Sequence, residues 1–181
     1  MREALEEMNA LSTEEAEAEL LKCCGSTLWA RRMAEARPFQ ELQGLLANAD
    51  SIWWALEKED WLEAFSRHPK IGEKESERAQ ARAARNWSEQ EQSGTHLADE
   101  ETRRALADAN REYAQKFGYI YIICATGKTA DEMLFILKER LHNDADKEIR
   151  VAAEEQLKIT HLRLQKLLER QKSGVRIQNP E

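Results

Sequence analysis

The residues best suited to chemistry gather in the stretch Ser66-Arg67-His68-Pro69-Lys70-Ile71-Gly72-Glu73. A helix-like segment ends there, and His68 stands directly before a proline. Proline pushes the residue before it out of the helical region. His68 is therefore expected at a helix end rather than along a helix face. Gly72 lets the backbone turn or come close to a ligand. An imidazole on a fixed corner suits proton transfer, because its ordinary pKa lies near neutrality. Taken alone, this stretch favours the plainer reading of a solvent-exposed loop histidine, and what comes later in the chain changes the balance.

Glu91 follows in a polar loop, Ser88-Glu89-Gln90-Glu91-Gln92-Ser93-Gly94. A carboxylate beside an imidazole orients it and favours its protonated form. The plainer reading of Glu91 is a solvated loop carboxylate. Arg163, in Ile159-Thr160-His161-Leu162-Arg163-Leu164, lies next to an apolar stripe and is expected to be partly buried or to line a pocket. Its guanidinium fork suits a carboxylate ligand, and the alternative is a surface pair with a glutamate. Gly127-Lys128-Thr129 resembles the end of a phosphate-binding loop, but Ile122 stands where that motif needs a glycine. A nucleotide site is rejected there in favour of a turn and a helix cap. His96, His142 and His161 show no metal-ligand spacing. With neither a metal pattern nor a phosphate loop, the expectation is an activity without metal or organic cofactor.

These residues must be positioned by a chain of 181 residues, a length that suits one domain with a real core. Charged residues make up 34% and the net charge is -7, which argues against nucleic acid as a partner. No apolar run approaches a membrane span. The opening run Met1-Arg2-Glu3-Ala4-Leu5-Glu6-Glu7 is acidic and lacks an apolar signal core. The closing Gln178-Asn179-Pro180-Glu181 carries no targeting tripeptide. Cys23, Cys24 and Cys124 fit neither a disulfide framework nor a zinc site. A reduced, cytoplasmic setting is expected.

The elements read as all-α, a single-domain bundle of about eight helices over residues 1–181 with one extended apolar segment. Ser12 and Glu15 form a capping-box pattern, and the helix they open stops at Gly25. Ser26 caps a second helix bearing Trp29 and Met33, which ends before Pro38. A third carries Phe39, Leu42, Leu45 and Leu46 at helical spacing. Asp50 and Ser51 then introduce Ile52, Trp53 and Trp54. A short helix with Trp61, Leu62 and Phe65 inward leads to His68. Residues 73–86 read as a solvated helix or flap. A helix with Leu106, Ala109, Tyr113 and Phe117 ends at Gly118. Tyr119-Ile120-Tyr121-Ile122-Ile123-Cys124 looks like a strand but has no partner strand. It is expected as a buried extended segment whose backbone groups need other partners, a ligand among them. Thr129 and Glu132 form a second capping box, opening a helix through Met133, Leu134, Leu137 and Leu141. The last helix runs from about Ala145 to Glu169 with Ile149, Ala153, Leu157, Leu164 and Leu168 facing the core. Residues 172–181 read as a frayed tail.

Five motifs occur together in this order: His68-Pro69-Lys70-Ile71-Gly72; Glu91-Gln92 in its Ser-rich loop; Phe117 through Ala125; Arg140-Leu141 with Asn143-Asp144; and Ile159-Thr160 with Leu162-Arg163-Leu164. As an ordered set, covering about Phe39 to Leu168, they resemble the 2-oxo-4-hydroxy-4-carboxy-5-ureidoimidazoline (OHCU) decarboxylase family. The resemblance departs at Lys70, where arginine is more usual, and at Glu73, where a small residue is common.

The resemblance implies an all-α, homodimeric, cofactor-independent enzyme of urate breakdown that converts OHCU to (S)-allantoin. It places the catalytic residues at His68, Glu91 and Arg163. Substrate contacts fall on Pro69, on Ser88, Glu89, Gln90 and Gln92, and on backbone groups of Ile120, Tyr121, Ile122, Ile123 and Cys124. The scissile carboxylate sits on a carbon next to a ring C=N group, which can accept the electrons left when CO2 departs. Arg163 would anchor the substrate, His68 handle the proton, and Glu91 orient His68 and bind the hydroxyl or ureido side. Two rival readings are a related lyase or hydrolase on the same scaffold and a non-catalytic helical interaction module presenting Trp53, Trp54 and the polar flap.

Overall fold

A computed structural model describes residues 2–68 and 100–172, the last three by backbone alone. Among the described residues there are eight α-helices and no strand. They are α1 (Arg2–Ala10), α2 (Thr13–Cys24), α3 (Thr27–Glu35), α4 (Leu42–Trp54), α5 (Lys58–Ser66), α6 (Glu100–Phe117), α7 (Ala130–Arg140) and α8 (Ala145–Lys172). The expected all-α class holds. The flap reading of 73–86 and the tail after Lys172 lie outside the described residues.

Local chemistry explains several of the helix ends. The Glu15 N–H donates to Ser12 Oγ and the Ser12 N–H donates back to Glu15 Oε2, at 3.2 and 2.9 Å. Gly25 closes α2 with φ at 89°, a left-handed conformation that glycine adopts without strain. Ser26 Oγ then accepts from the Trp29 N–H at 3.2 Å to open α3.

Two parts of the expectation change. The acidic opening run forms α1, because Ala4, Leu5 and Met8 share one buried face. Asp50 and Ser51 do not interrupt α4, because Leu45, Ala49 and Trp53 make a continuous buried stripe at four-residue spacing. Phe39 precedes that helix rather than joining it, and is fixed by paired bonds between its backbone and the Asn9 amide at 2.8 and 2.9 Å.

The chain divides into two compact units. One holds the residues through Trp61 and those from Leu157 onward. Its core includes Leu20, Trp29, Met33, Leu45 and Trp53, all fully buried. The indole N–H groups of Trp29 and Trp61 donate to the carbonyls of Ala49 and Trp53 at 3.1 and 3.0 Å, so these large side chains are buried without a stranded donor. His161 of α8 meets Asp50 of α4 at 2.5 Å.

The other unit runs from Leu62 to Gln156. Its core joins Leu106, Ala109 and Tyr113 of α6 to Met133 and Leu137 of α7, with Tyr121, Ile123 and Ala125 from the connection between them. All three cysteines are buried and none is in a disulfide. Among the described residues, no helix is long and apolar enough to cross a membrane.

Candidate active site

The histidine corner is built by the end of α5. After Ser66 the backbone makes one more tight turn: the Arg67 and His68 N–H groups donate to the carbonyls of Ala64 and Phe65, each at 3.2 Å. Phe65 is fully buried and packs against the Tyr119 ring, centroids 5.4 Å apart. His68 therefore rises from an anchored base and is itself half-buried. Its Nε2 lies 2.6 Å from Oε1 of Gln156, a fully buried residue of α8.

The extended segment follows Gly118, whose φ of 81° turns the chain out of α6. Tyr121, Ile122, Ile123, Cys124 and Ala125 are all buried. A buried segment outside helix or sheet must find hydrogen-bond partners elsewhere, and here charged side chains supply several. Arg140 Nη1 donates to the Ile122 carbonyl at 2.8 Å. The Cys124 N–H donates to Glu155 Oε2 at 2.8 Å, and the Cys124 carbonyl accepts from Lys128 Nζ at 2.7 Å. Among the described residues, no group bonds to the backbone N–H of Ile120, Tyr121, Ile122 or Ile123.

Arg140 is itself held in a buried polar network. Its Nε donates to Glu148 Oε1 at 2.8 Å, and the same oxygen accepts from the Tyr113 hydroxyl at 2.5 Å. Asn143 Nδ2 donates to Glu148 Oε2 at 2.7 Å. The guanidinium also lies over the Tyr121 ring, 4.8 Å from its centroid. Burial opposes the charge on Arg140, but Tyr113 and Glu148 outweigh it, and its pKa moves upward. Burial likewise raises the Tyr113 hydroxyl and pushes Tyr119 up to about 12. Arg140 stays charged and Tyr113 stays neutral across the physiological range, and the network acts as a fixed support for the segment.

Arg163 belongs to the other unit and is only 5% exposed. That burial removes the surface-pair reading, since an exposed salt bridge needs solvent on both partners. Burial pushes the Cys23 thiol up, and the positive charge of Arg163 works against that shift. Pro69, Ser88, Glu89, Gln90, Glu91 and Gln92 lie outside the described residues. Among the described residues, no group of three His, Cys, Asp or Glu side chains could hold a metal ion.

Sequence reasoning missed Gln156, Glu155 and Glu148. A signal was present in α8. Its buried line runs through Ile149, Ala153, Gln156, Thr160, Arg163 and Leu167, in steps of four and three that average the helical period. Leu157, expected to face the core, is only half-buried. Following the drift of the period puts three polar residues on a line that is otherwise apolar, and polar groups there need a specific partner.

A family model described as OHCU decarboxylase matches residues 9–165. The chain is 39% identical over 158 residues to the uric acid degradation bifunctional protein TTL of Arabidopsis thaliana, covering 87% of this chain and 48% of that protein. It is 34% identical over 102 residues to the 2-oxo-4-hydroxy-4-carboxy-5-ureidoimidazoline decarboxylase of Amia calva, covering 56% of this chain and 58% of that protein. The chain thus spans about half the length of these curated relatives. A crystal structure of OHCU decarboxylase in the presence of (S)-allantoin is 40% identical, with a TM-score of 0.72 over 83% of this chain and 97% of that one.

Proposed function

This chain belongs to the OHCU decarboxylase family, and from that premise we propose that it decarboxylates OHCU to (S)-allantoin in urate breakdown. The observation that carries the reading is His68: a half-buried imidazole on an anchored corner, held through Nε2, in a chain that matches the family around it. The family match runs through both units, which supports reading 1–181 as one OHCU decarboxylase-like domain.

The reaction breaks the bond between the ring carbon and its carboxylate. CO2 leaves as a neutral molecule, and the electron pair passes into the adjacent C=N system. One proton is taken up, delivered to one face of the ring. Arg163 grips the substrate's planar oxygens, which its buried guanidinium fork suits. His68 handles the proton, and Glu91 orients it and binds the hydroxyl or ureido side. Pro69 and the loop residues Ser88, Glu89, Gln90 and Gln92 complete the substrate contacts. Backbone groups of Ile120, Tyr121, Ile122, Ile123 and Cys124 receive the ring amides, an assignment supported by the N–H groups of Ile120–Ile123 that no described residue engages. Confinement and exclusion of water account for much of the rate gain. The reaction draws on no metal or organic cofactor.

The enzyme works as a homodimer in the cytoplasm. Phe135, 66% exposed on α7, offers apolar surface for a second copy, and three cysteines outside any disulfide suit a reducing compartment. Light scattering that gives a mass near 20.9 kDa for the particle in solution overturns the dimer.

Purified protein supplied with freshly generated urate-oxidation intermediate should produce (S)-allantoin, followed by circular dichroism, and should keep doing so after exhaustive chelation. His68→Asn should lower kcat by about 10²–10⁴-fold, the usual contribution of a positioned acid–base group, with an unchanged melting curve. No product from the wild-type chain, or near-normal turnover by the variant, would sink the reading.

A further inference from the structure

We propose that Gln156 is a positioning residue that fixes the tautomer of His68, with the ring proton on Nε2 and the working lone pair on Nδ1. The proposal rests on the decarboxylase reading above and names the atom through which His68 acts. With Nε2 on Gln156 and Nδ1 facing the substrate, Glu91 orients His68 through its charge and not through a hydrogen bond to a ring nitrogen. Oε1 of Gln156 lies 2.6 Å from His68 Nε2. An amide carbonyl oxygen can only accept, so the ring nitrogen facing it must carry hydrogen. A neutral imidazole has a single N–H, which leaves the lone pair on Nδ1.

The rest of the site supports this assignment. Gln156 is fully buried, so it cannot exchange its partner for bulk water. Its neighbour Glu155 ties α8 to the extended segment by accepting the Cys124 N–H at 2.8 Å. One turn of helix thus touches both the proton-handling residue and the segment assigned to hold the substrate.

The residue type is informative too. A carboxylate in this place would favour the charged ring and hold its proton tightly. A neutral amide sets the tautomer without adding charge, so the ring can pass between imidazolium and imidazole. In the reaction the imidazolium gives its Nδ1 proton to the ring carbon left by CO2. The neutral ring keeps its Nε2–H on Gln156, and Nδ1 is recharged by a proton from solvent. The bond to Gln156 persists through the cycle.

Nitrogen NMR of protein labelled at its histidine rings tests this, with the His68 signals assigned by their loss in His68→Asn. Neutral His68 in the wild-type protein should show hydrogen on Nε2. Gln156→Met, similar in length but without an acceptor, should give a mixed tautomer. Its kcat should fall by about ten- to a hundred-fold, by analogy with the loss when the group orienting a metal-bound imidazole is removed, with KM nearly unchanged. Gln156→Glu, which still accepts, should restore the Nε2–H form. Hydrogen on Nδ1 in the wild-type ring overturns the proposal, and that reading needs no Gln156 variant to fold. So does a Gln156→Met protein with unaltered tautomer and kcat. Failure of the wild-type enzyme to decarboxylate OHCU sinks the decarboxylase reading instead, while the spectrum still decides the tautomer.

Discussion

Between α2 and α3 the chain reverses through Gly25 and Ser26 alone, whereas between α6 and α7 it runs from Gly118 to Thr129. In the short turn the backbone finds local partners. The Gly25 N–H donates to Leu21 at 2.9 Å, and Ser26 takes the Trp29 and Ala30 N–H groups through its hydroxyl and its carbonyl. In the long connection the buried segment relies on Arg140 and Glu155, side chains 18 and 31 positions away from the groups they bind. A turn that satisfies itself can be read from neighbouring residues. A segment held by distant charges ties its own stability, and the shape of any site it lines, to residues far along the chain.

The contrast breaks most visibly at Arg140 and Glu148. Removing one member of a buried ion pair leaves the other charge unpaired and costs about 3–5 kcal/mol. Arg140→Met and Glu148→Gln should each lose that much in urea unfolding, and decarboxylation should fall as the Ile122 carbonyl loses its donor. The double variant Arg140→Met/Glu148→Gln should lose clearly less than the sum of the two, because no lone charge remains. Strict additivity would mean that the two residues do not act as a pair.

Glu155→Ala probes the same connection more gently. It strands the Cys124 N–H and should cost about 1–3 kcal/mol, again with reduced kcat. A stable variant of normal activity would show that this bond does not hold the segment.

At the short turn, Gly25→Ala must place a side chain in the left-handed region, where an ordinary residue is disfavoured by about 1–2 kcal/mol. Stability should fall by that amount while kcat and KM stay as they were. A loss of turnover here would erase the distinction between the two connections.

The smallest effect belongs to two capped helix starts, Thr129 at the exit of the long connection and Ser12 at the start of α2, one helix before the short turn. Hydrogen bonds from the Thr129 backbone N–H and then its hydroxyl hold the Glu132 carboxyl below its usual range, and the Ser12 backbone and hydroxyl do the same for Glu15. A carboxyl lowered in the folded state stabilises the protein above its unfolded pKa and loses that contribution as pH falls through the folded value. Glu132→Gln and Glu15→Gln should therefore be slightly destabilising at pH 7. Their gap from the wild-type chain should close as the pH is taken below the ordinary glutamate range, and a gap that persists in acid would assign the effect to something other than the charge.

What could be read in advance follows the same division. Ser12, Gly25, Ser26 and Thr129 announced their structure, because each acts on residues within a few positions. The run 119–124 announced its burial by composition, while its distant partner Glu155 went unread. The helix α1 escaped notice because its apolar face is only Ala4, Leu5 and Met8 in an acidic run. The continuity of α4 through Asp50 was hidden by a residue that more often ends a helix than passes through one. Of the residues proposed for catalysis, His68 was marked by the proline after it and Arg163 by its place beside an apolar stripe. Gln156 was marked only by its place on the drifting buried line of α8, which did not say what it meets. Its importance lies in a contact with a residue 88 positions earlier, and no local pattern encodes a pairing of that span.

The buried cysteines give the protein an internal record of its own opening. A thiol reagent must reach the sulfur, and all three are shielded from solvent. Cys23 and Cys24 lie in one unit and Cys124 in the other. A thiol reagent should therefore pass over the closed molecule and mark each cysteine at the rate at which its own surroundings open. Followed residue by residue, the order of labelling reports which unit gives way first, without any added probe.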